Sequence, residues 1–209
     1  MAQEKSPHQW QQAAAFAARA HQHQLRKDGR TPYVAHVYRV AMTVRDVFGS
    51  DDPATLCAAL LHDTIEDTRT DYDAIAQAFG ADIADMVAAL TKNMLLAERE
   101  REAEYESRLA AADWRVRLVK LADVYDNLCD RWCEGARDEM RDLRTRVERC
   151  GMAIRLAIPD ASKHPETAMA INELKRLVSA HSGPKSRSKQ KPGGQRAKRG
   201  AKKMNSKRR

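Results

Sequence analysis

The chemistry of this chain is concentrated in Leu60-Leu61-His62-Asp63-Thr64-Ile65-Glu66-Asp67-Thr68. A His-Asp pair alone says little, because such neighbours arise by chance in a chain of 209 residues. Its extension says more. His62 and Glu66 are four apart, as are Asp63 and Asp67, so a continuing helix stacks both pairs on one face. One imidazole and three carboxylates then crowd together at the end of the most apolar stretch of the chain. Uncompensated, those carboxylates repel one another. A divalent cation compensates them, and imidazole nitrogen with carboxylate oxygen suits Mn, Fe or Zn. The competing reading is a helix C-terminus that happens to be acidic, which the negative end of the helix dipole disfavours.

Two further residues would complete a metal site. His36 lies in Pro32-Tyr33-Val34-Ala35-His36, near the start of a helix with an apolar stripe. Asp123 ends Val116-Arg117-Leu118-Val119-Lys120-Leu121-Ala122-Asp123, a mostly apolar run in which a carboxylate needs a partner. Taken singly, they read as a satisfied histidine and an exposed aspartate. Together with His62-Asp63 they give the chain order His, His-Asp, Asp.

The elements that must position these residues read as helices. Ser6-Pro7-His8-Gln9 is a capping box with Pro at the first helical position, opening a helix to about Gln24. After the polar loop 26–32, a second helix runs over 34–48, with Val37, Val40, Ala41, Val44 and Val47 on one stripe and Gly49 as its stop. Asp52-Pro53 opens a third, continuing through Asp67. Thr70 caps a short fourth that ends at Gly80. Further helices are expected over 81–92, 95–111, 114–133, 137–157 and 165–181, with Pro159 separating the last two. No strand-like alternation occurs. The expected fold is all-α, a compact bundle of about nine helices.

Composition agrees and excludes other classes. Aromatics are 5%, with 9 Gly and 7 Pro, a helical rather than a turn-rich profile. No apolar run of about 18 residues exists, which argues against a membrane span. The N-terminal MAQEKSPHQW lacks the apolar core of an export signal, so the protein is expected in the cytoplasm. Cys57, Cys129, Cys133 and Cys150 contain no C-x-x-C pair and read as reduced thiols, neither disulfides nor a zinc site. The net charge of +8 is unevenly placed. Residues 183–209 carry 12 Lys or Arg and no acid, which leaves 25 basic and 29 acidic side chains in 1–182, a net of −4. The expected division is a folded domain over 1–182 and a disordered basic tail over 183–209. The tail reads either as a solubilising segment or as an electrostatic, sequence-blind anchor for RNA, the ribosome or another polyanion.

The order H…HD…D resembles the HD-domain metal-dependent phosphohydrolases. The likeness is greatest to the hydrolase domain of Rel/SpoT-type alarmone enzymes and to the stand-alone small alarmone hydrolases. It rests on Arg26-Lys27 before Pro32-Tyr33-x-x-His36, on Ala58-Ala59-Leu60-Leu61-His62-Asp63-Thr64-Ile65-Glu66-Asp67-Thr68, on Phe79-Gly80 leading to Leu90-Thr91-Lys92, and on Val119-Lys120-Leu121-Ala122-Asp123-x-x-x-Asn127. The resemblance implies one Mn²⁺, with Fe or Zn as alternatives, held by His36, His62, Asp63 and Asp123. It implies Glu66 and Asp67 as the residues that orient water and move its proton. Arg26 and Lys27 become base and phosphate contacts, and Asn127 a ribose or phosphate contact. The implied activity is removal of the 3′-pyrophosphate from guanosine alarmones; the alternative is hydrolysis of another nucleotide or of an NADPH phosphate. Outside enzymes, a degenerate domain that only binds would be expected to have lost ligands, and none is lost. Where the family has Arg, Leu and His after the aspartate and a Thr three residues beyond the asparagine, this chain has Val124, Tyr125, Asp126 and Asp130. Asp126 and Asp130 are therefore expected to bring negative charge close to an anionic substrate unless they face away.

Overall fold

The computed structural model describes residues 8–130 and 139–182. The Ser6-Pro7 half of the capping box, Cys133 and the basic tail lie outside them. Among the described residues there is no strand, and ten α-helices follow one another: α1 (Gln9–Ala20), α2 (Val34–Met42), α3 (Pro53–Leu61), α4 (Thr64–Asp67), α5 (Tyr72–Phe79), α6 (Ala81–Leu90), α7 (Glu98–Ala111), α8 (Trp114–Asp130), α9 (Glu139–Ala157) and α10 (Pro165–Ser182).

The bundle is built around α3. Asp52 starts it by accepting the Thr55 N–H, with Pro53 in the first turn, where its missing donor costs nothing. Every residue from Ala54 to Leu61 is buried, so α3 is apolar all round and must be central. It is enclosed by α1, α2, α6 and α8. On α1, Ala13 and Ala17 face inward, and their small side chains let that helix approach closely. On α8, Leu118, Leu121, Ala122 and Leu128 are fully buried, with α9 and α10 covering the side away from α3. At Gly80 the chain takes φ +90, a conformation that a side chain would strain, and so ends α5 and begins α6 without a linker. Beyond α2 the chain widens into a π-turn over Thr43–Val47. That turn delivers Phe48 into the core, edge-on to Tyr125 at 5.9 Å.

The largest departure from the sequence reading concerns the third helix. The expected continuous helix through Asp67 breaks at His62-Asp63, and Glu66 and Asp67 stand on the separate one-turn α4. Local hydrogen bonds hold the break: the Thr64 hydroxyl takes the Leu61 carbonyl and His62 Nδ1 takes the Ala59 carbonyl. This split is why the described residues hold ten helices rather than nine. Asp71, not Thr70, caps α5, because its carboxylate reaches the Ala74 N–H. Four of the described helices are shorter than expected: α1 stops at Ala20, α2 gives way to the π-turn after Met42, α6 stops at Leu90 and α7 starts at Glu98.

Candidate active site

Two histidines face each other across the α2–α3 junction, with ring centroids 5.2 Å apart. His36, from α2, is 1% exposed. Its Nδ1 lies 2.7 Å from Asp126 Oδ2, and its Nε2 lies 3.4 Å from Asp123 Oδ1 and 3.5 Å from Asp63 Oδ2. His62 sits at the end of α3. Its Nδ1 is 2.8 Å from the Ala59 carbonyl, an acceptor, so the hydrogen is on Nδ1. The Nε2 of His62 therefore points its lone pair at Asp63 Oδ2 (3.1 Å) and Asp123 Oδ1 (3.9 Å). It is buried and has no hydrogen-bond partner. An orphaned buried imidazole nitrogen beside two carboxylates fits a cation, since each Nδ1 is engaged and each Nε2 is left free to ligate. One ligand atom each from His36, His62 and Asp123 lie within 4.8 Å of one another.

The electrostatics are those of a site that attracts positive charge. Burial opposes charging of both imidazoles, yet Asp123, Asp126 and Asp63 hold His36 well above the usual histidine value. His62 is likewise raised, mainly by Asp63, against the cost of burial. Burial also opposes the charge on Asp123, but the Lys120 ammonium 2.7 Å away and the two histidines keep its carboxyl well below the ordinary range. Asn127 adds a 2.5 Å hydrogen bond from Nδ2 to Asp123 Oδ1.

The break at His62-Asp63 redirects the next two carboxylates. Glu66 accepts the Lys92 backbone N–H at 2.8 Å. Asp63 and Asp67 converge on the Tyr33 hydroxyl, at 2.7 and 2.8 Å from their Oδ2 atoms. Burial raises the Glu66 carboxyl above its ordinary value, with Asp63 and Asp67 adding to the shift. Asp67 is raised in the same way, by burial and then by Asp63.

All nine expected site residues, Arg26, Lys27, His36, His62, Asp63, Glu66, Asp67, Asp123 and Asn127, line one cavity of about 330 Å³. The unusual segment after Asp123 divides. Val124 and Asp130 are in the cavity wall, Tyr125 packs on Phe48, and Asp126 is turned behind His36. The expected negative charge beside a substrate is therefore corrected for Asp126, which is also paired with Arg39. Asp130 does reach the wall but is neutralised by Arg26 and Arg39. Arg26 is thereby positioned, donating also to Asn127 Oδ1 at 3.0 Å and lying over the Tyr33 ring. Sequence reasoning missed Tyr33, Lys92, Lys120, Arg146 and Arg149 as site residues. Tyr33, Lys92 and Lys120 stood inside quoted motifs; Arg146 and Arg149 carried no signal in the sequence, because only the packing of α9 on α8 brings them to the cavity.

Residues 13–154 match the HD domain family. This chain belongs to the HD-domain family. Membership implies a divalent metal, for which His36, His62 and Asp123 are grouped as possible ligands. Among its relatives is the Xenopus tropicalis guanosine-3′,5′-bis(diphosphate) 3′-pyrophosphohydrolase MESH1, 41% identical over 120 residues, which are 57% of this chain and 67% of that one. The human MESH1 shares the same identity and coverage. The Aquifex aeolicus guanosine-3′,5′-bis(diphosphate) 3′-pyrophosphohydrolase is 39% identical over 125 residues, 58% of this chain but only 18% of the longer enzyme. The HD-domain chain thus spans about two thirds of the animal relatives and less than a fifth of the bacterial one. The solved structure of a metazoan ortholog of SpoT that hydrolyzes ppGpp superposes with a TM-score of 0.69 at 26% identity, covering 80% of this chain and 94% of that one. A Listeria monocytogenes structure superposes at 0.56 with 25% identity, covering 72% and 95%. Among the described residues, no helix is long and apolar enough to cross a membrane.

Proposed function

We propose that this HD-domain hydrolase converts guanosine tetra- and pentaphosphate to GDP and GTP with release of pyrophosphate, using Mn²⁺ held by His36, His62, Asp63 and Asp123. One observation carries the reading. The His/Asp cluster, the Glu66 carboxylate and six cationic side chains share a single cavity among the described residues. That combination suits a nucleotide bearing an extra pyrophosphate. The relatives that bear this activity in their names support the same substrate.

When bound, the divalent ion supplies a Lewis acid and lowers the pKa of a coordinated water. The chain's own residues do the rest. Glu66, fixed by the Lys92 N–H and raised by burial, is suited to accept the proton of the attacking water. Asp67 shares the Tyr33 hydroxyl with Asp63 and passes or holds that proton. The water oxygen bonds to the phosphorus attached to O3′, the P–O3′ bond breaks, and the departing oxygen takes up a proton. Arg26, aligned by Asp130 and Asn127, presents a planar guanidinium able to stack on guanine or pair with an oxyanion. Lys27 and Asn127 complete the nucleotide contacts. We assign the hydrolase unit to residues 1–182.

Purified protein with Mn²⁺ is given ppGpp, with NADPH and ordinary nucleotides in parallel, and the products are resolved by anion exchange. GDP plus pyrophosphate, abolished by chelator, is the expected result. Orthophosphate from NADPH with ppGpp untouched would refute the substrate and reassign the Val124–Asp130 segment.

A further inference from the structure

The imidazole of His36 is flanked at both nitrogens by carboxylates of one helix. Asp123 and Asp126 are three residues apart on α8 and so share a face toward α2. Asp123 Oδ1 approaches Nε2 at 3.4 Å, while Asp126 Oδ2 accepts from Nδ1 at 2.7 Å. Asp126 is 4% exposed, and a carboxylate so placed persists only with a partner. Arg39 supplies it from α2, three residues after His36. Its Nε lies 2.6 Å from Oδ1 and its Nη2 2.9 Å from Oδ2, a two-point contact that fixes the carboxylate plane. Arg39 Nη2 also meets Asp130 Oδ1 at 2.8 Å, and Asp130 Oδ2 receives Arg26 Nη2 at 2.8 Å. A continuous chain of hydrogen bonds thus joins a cluster histidine to the cavity wall.

We propose that Asp126 is a positioning residue for the metal centre: held by Arg39, it locks the His36 ring with Nδ1–H behind and Nε2 toward the ion. The proposal rests on the metal site put forward above, and it turns two charges foreign to the family pattern into one device. Without the Asp126 acceptor, His36 is free to rotate or to protonate Nε2, and its share in metal binding is lost. Carboxylates that orient metal-bound histidines are commonly worth a factor of 10 to 100 in affinity, and Asp126 is placed to act in that range.

The test is Mn²⁺ binding by the full chain without substrate, followed by calorimetry and by pulsed electron paramagnetic resonance, which counts imidazole nitrogens coupled to the ion. The wild type is expected to show two coupled imidazoles. Asp126→Ala is expected to bind Mn²⁺ about 10- to 100-fold more weakly, with one imidazole coupling lost or displaced. Asp126→Asn keeps an oxygen that can accept from Nδ1–H; it is expected to keep both couplings and to lose only a few-fold in affinity. If Asp126→Ala fails to fold, Asp126→Asn and Arg39→Gln carry the same comparison, the latter weakening binding through a loosened Asp126. Affinity within twofold of wild type in Asp126→Ala overturns the proposal. So does weaker binding with both imidazoles still coupled, which would reduce Asp126 to a charge. A wild type that takes up no Mn²⁺ overturns it as well. Failure of the substrate reading looks different: ppGpp stays intact while the Asp126 variants still lose Mn²⁺ affinity and imidazole coupling.

Discussion

Tyr33→Phe removes one oxygen and touches two carboxylates. The Tyr33 hydroxyl lies 2.7 Å from Asp63 Oδ2 and 2.8 Å from Asp67 Oδ2. A phenol has one hydrogen, so the two contacts require either a shared proton or a protonated Asp67 donating to the phenol oxygen. Tyr33 is the donor at both contacts, so its single hydrogen is shared between Asp63 and Asp67. Burial and both carboxylates push the phenol itself far above its ordinary value, so it stays neutral at any working pH. The ring is held independently of the hydroxyl, stacked on His21 at 4.8 Å and covered by Arg26, so phenylalanine fills the same space. A hydrogen bond to a charged group is worth about 1.5–3 kcal/mol. At about 1.36 kcal/mol per factor of ten, that is a loss of about 10- to 150-fold in rate. The loss should fall on kcat, because Tyr33 orders Asp63 and Asp67 rather than the nucleotide. Mn²⁺ affinity should change little, since Asp63 keeps its approach to both histidines. Steady-state kinetics on ppGpp with saturating Mn²⁺, beside a metal titration, measures both. A variant within threefold of wild type in kcat would refute the shared-proton arrangement.

Other variants probe the remaining parts. His62→Ala and Asp63→Ala should each abolish Mn²⁺ binding and turnover; calorimetry showing wild-type affinity in either would remove that residue from the ligand set. Glu66→Gln should retain metal and lose about 10²- to 10⁴-fold in kcat, the usual worth of a proton acceptor. The same variant should be more stable than wild type when metal-free. A carboxyl whose folded pKa is raised binds its proton more tightly in the folded state, so wild-type stability falls as pH rises through that value. Glu66→Gln escapes the penalty at pH 7 and gains nothing at a pH below the ordinary glutamate range, as denaturant melts would register. Arg117 is mostly buried; it pairs with Asp160 and donates to the carbonyls of Leu109, Ala110 and Ala112 at the end of α7. Arg117→Met strands Asp160 and should cost about 3–5 kcal/mol by urea denaturation, without altering Mn²⁺ affinity.

The fold class and the cluster were legible because both rest on local pattern. Apolar stripes at helical spacing identify α2, α6 and α8, and Asp52-Pro53 marks the start of α3 with its cap bond. What periodicity does not carry is where a helix breaks. The apolar register of 54–67 runs through His62 without a flaw, while the break depends on a threonine hydroxyl capturing the Leu61 carbonyl. Direction across the bundle is hidden for a related reason. From α8 alone, Asp126 and Asp130 are two acids one turn apart. Only the crossing of α2 over α8 brings Arg39 against both, and so converts an apparent repulsion of substrate into support for His36.

Charge in the cavity follows a plan in two zones. Asp63, Glu66, Asp67, Asp123 and Asp130 supply five carboxylates; Arg26, Lys27, Lys92, Lys120, Arg146 and Arg149 supply six cations. With neutral imidazoles the lining is therefore near balance, at +1. Asp63 and Asp123 are grouped at the histidines, whereas Arg26, Lys27 and the α9 arginines belong to other elements. Binding a dication changes the sign of the floor and leaves the cationic residues intact, so the loaded cavity draws in an anion that the empty one holds weakly. Substrate affinity should accordingly depend on metal occupancy even for a nucleotide pyrophosphate that cannot be hydrolysed. Equal binding of such an analogue with and without Mn²⁺ would show that the basic residues act alone and that the acidic centre does not gate access.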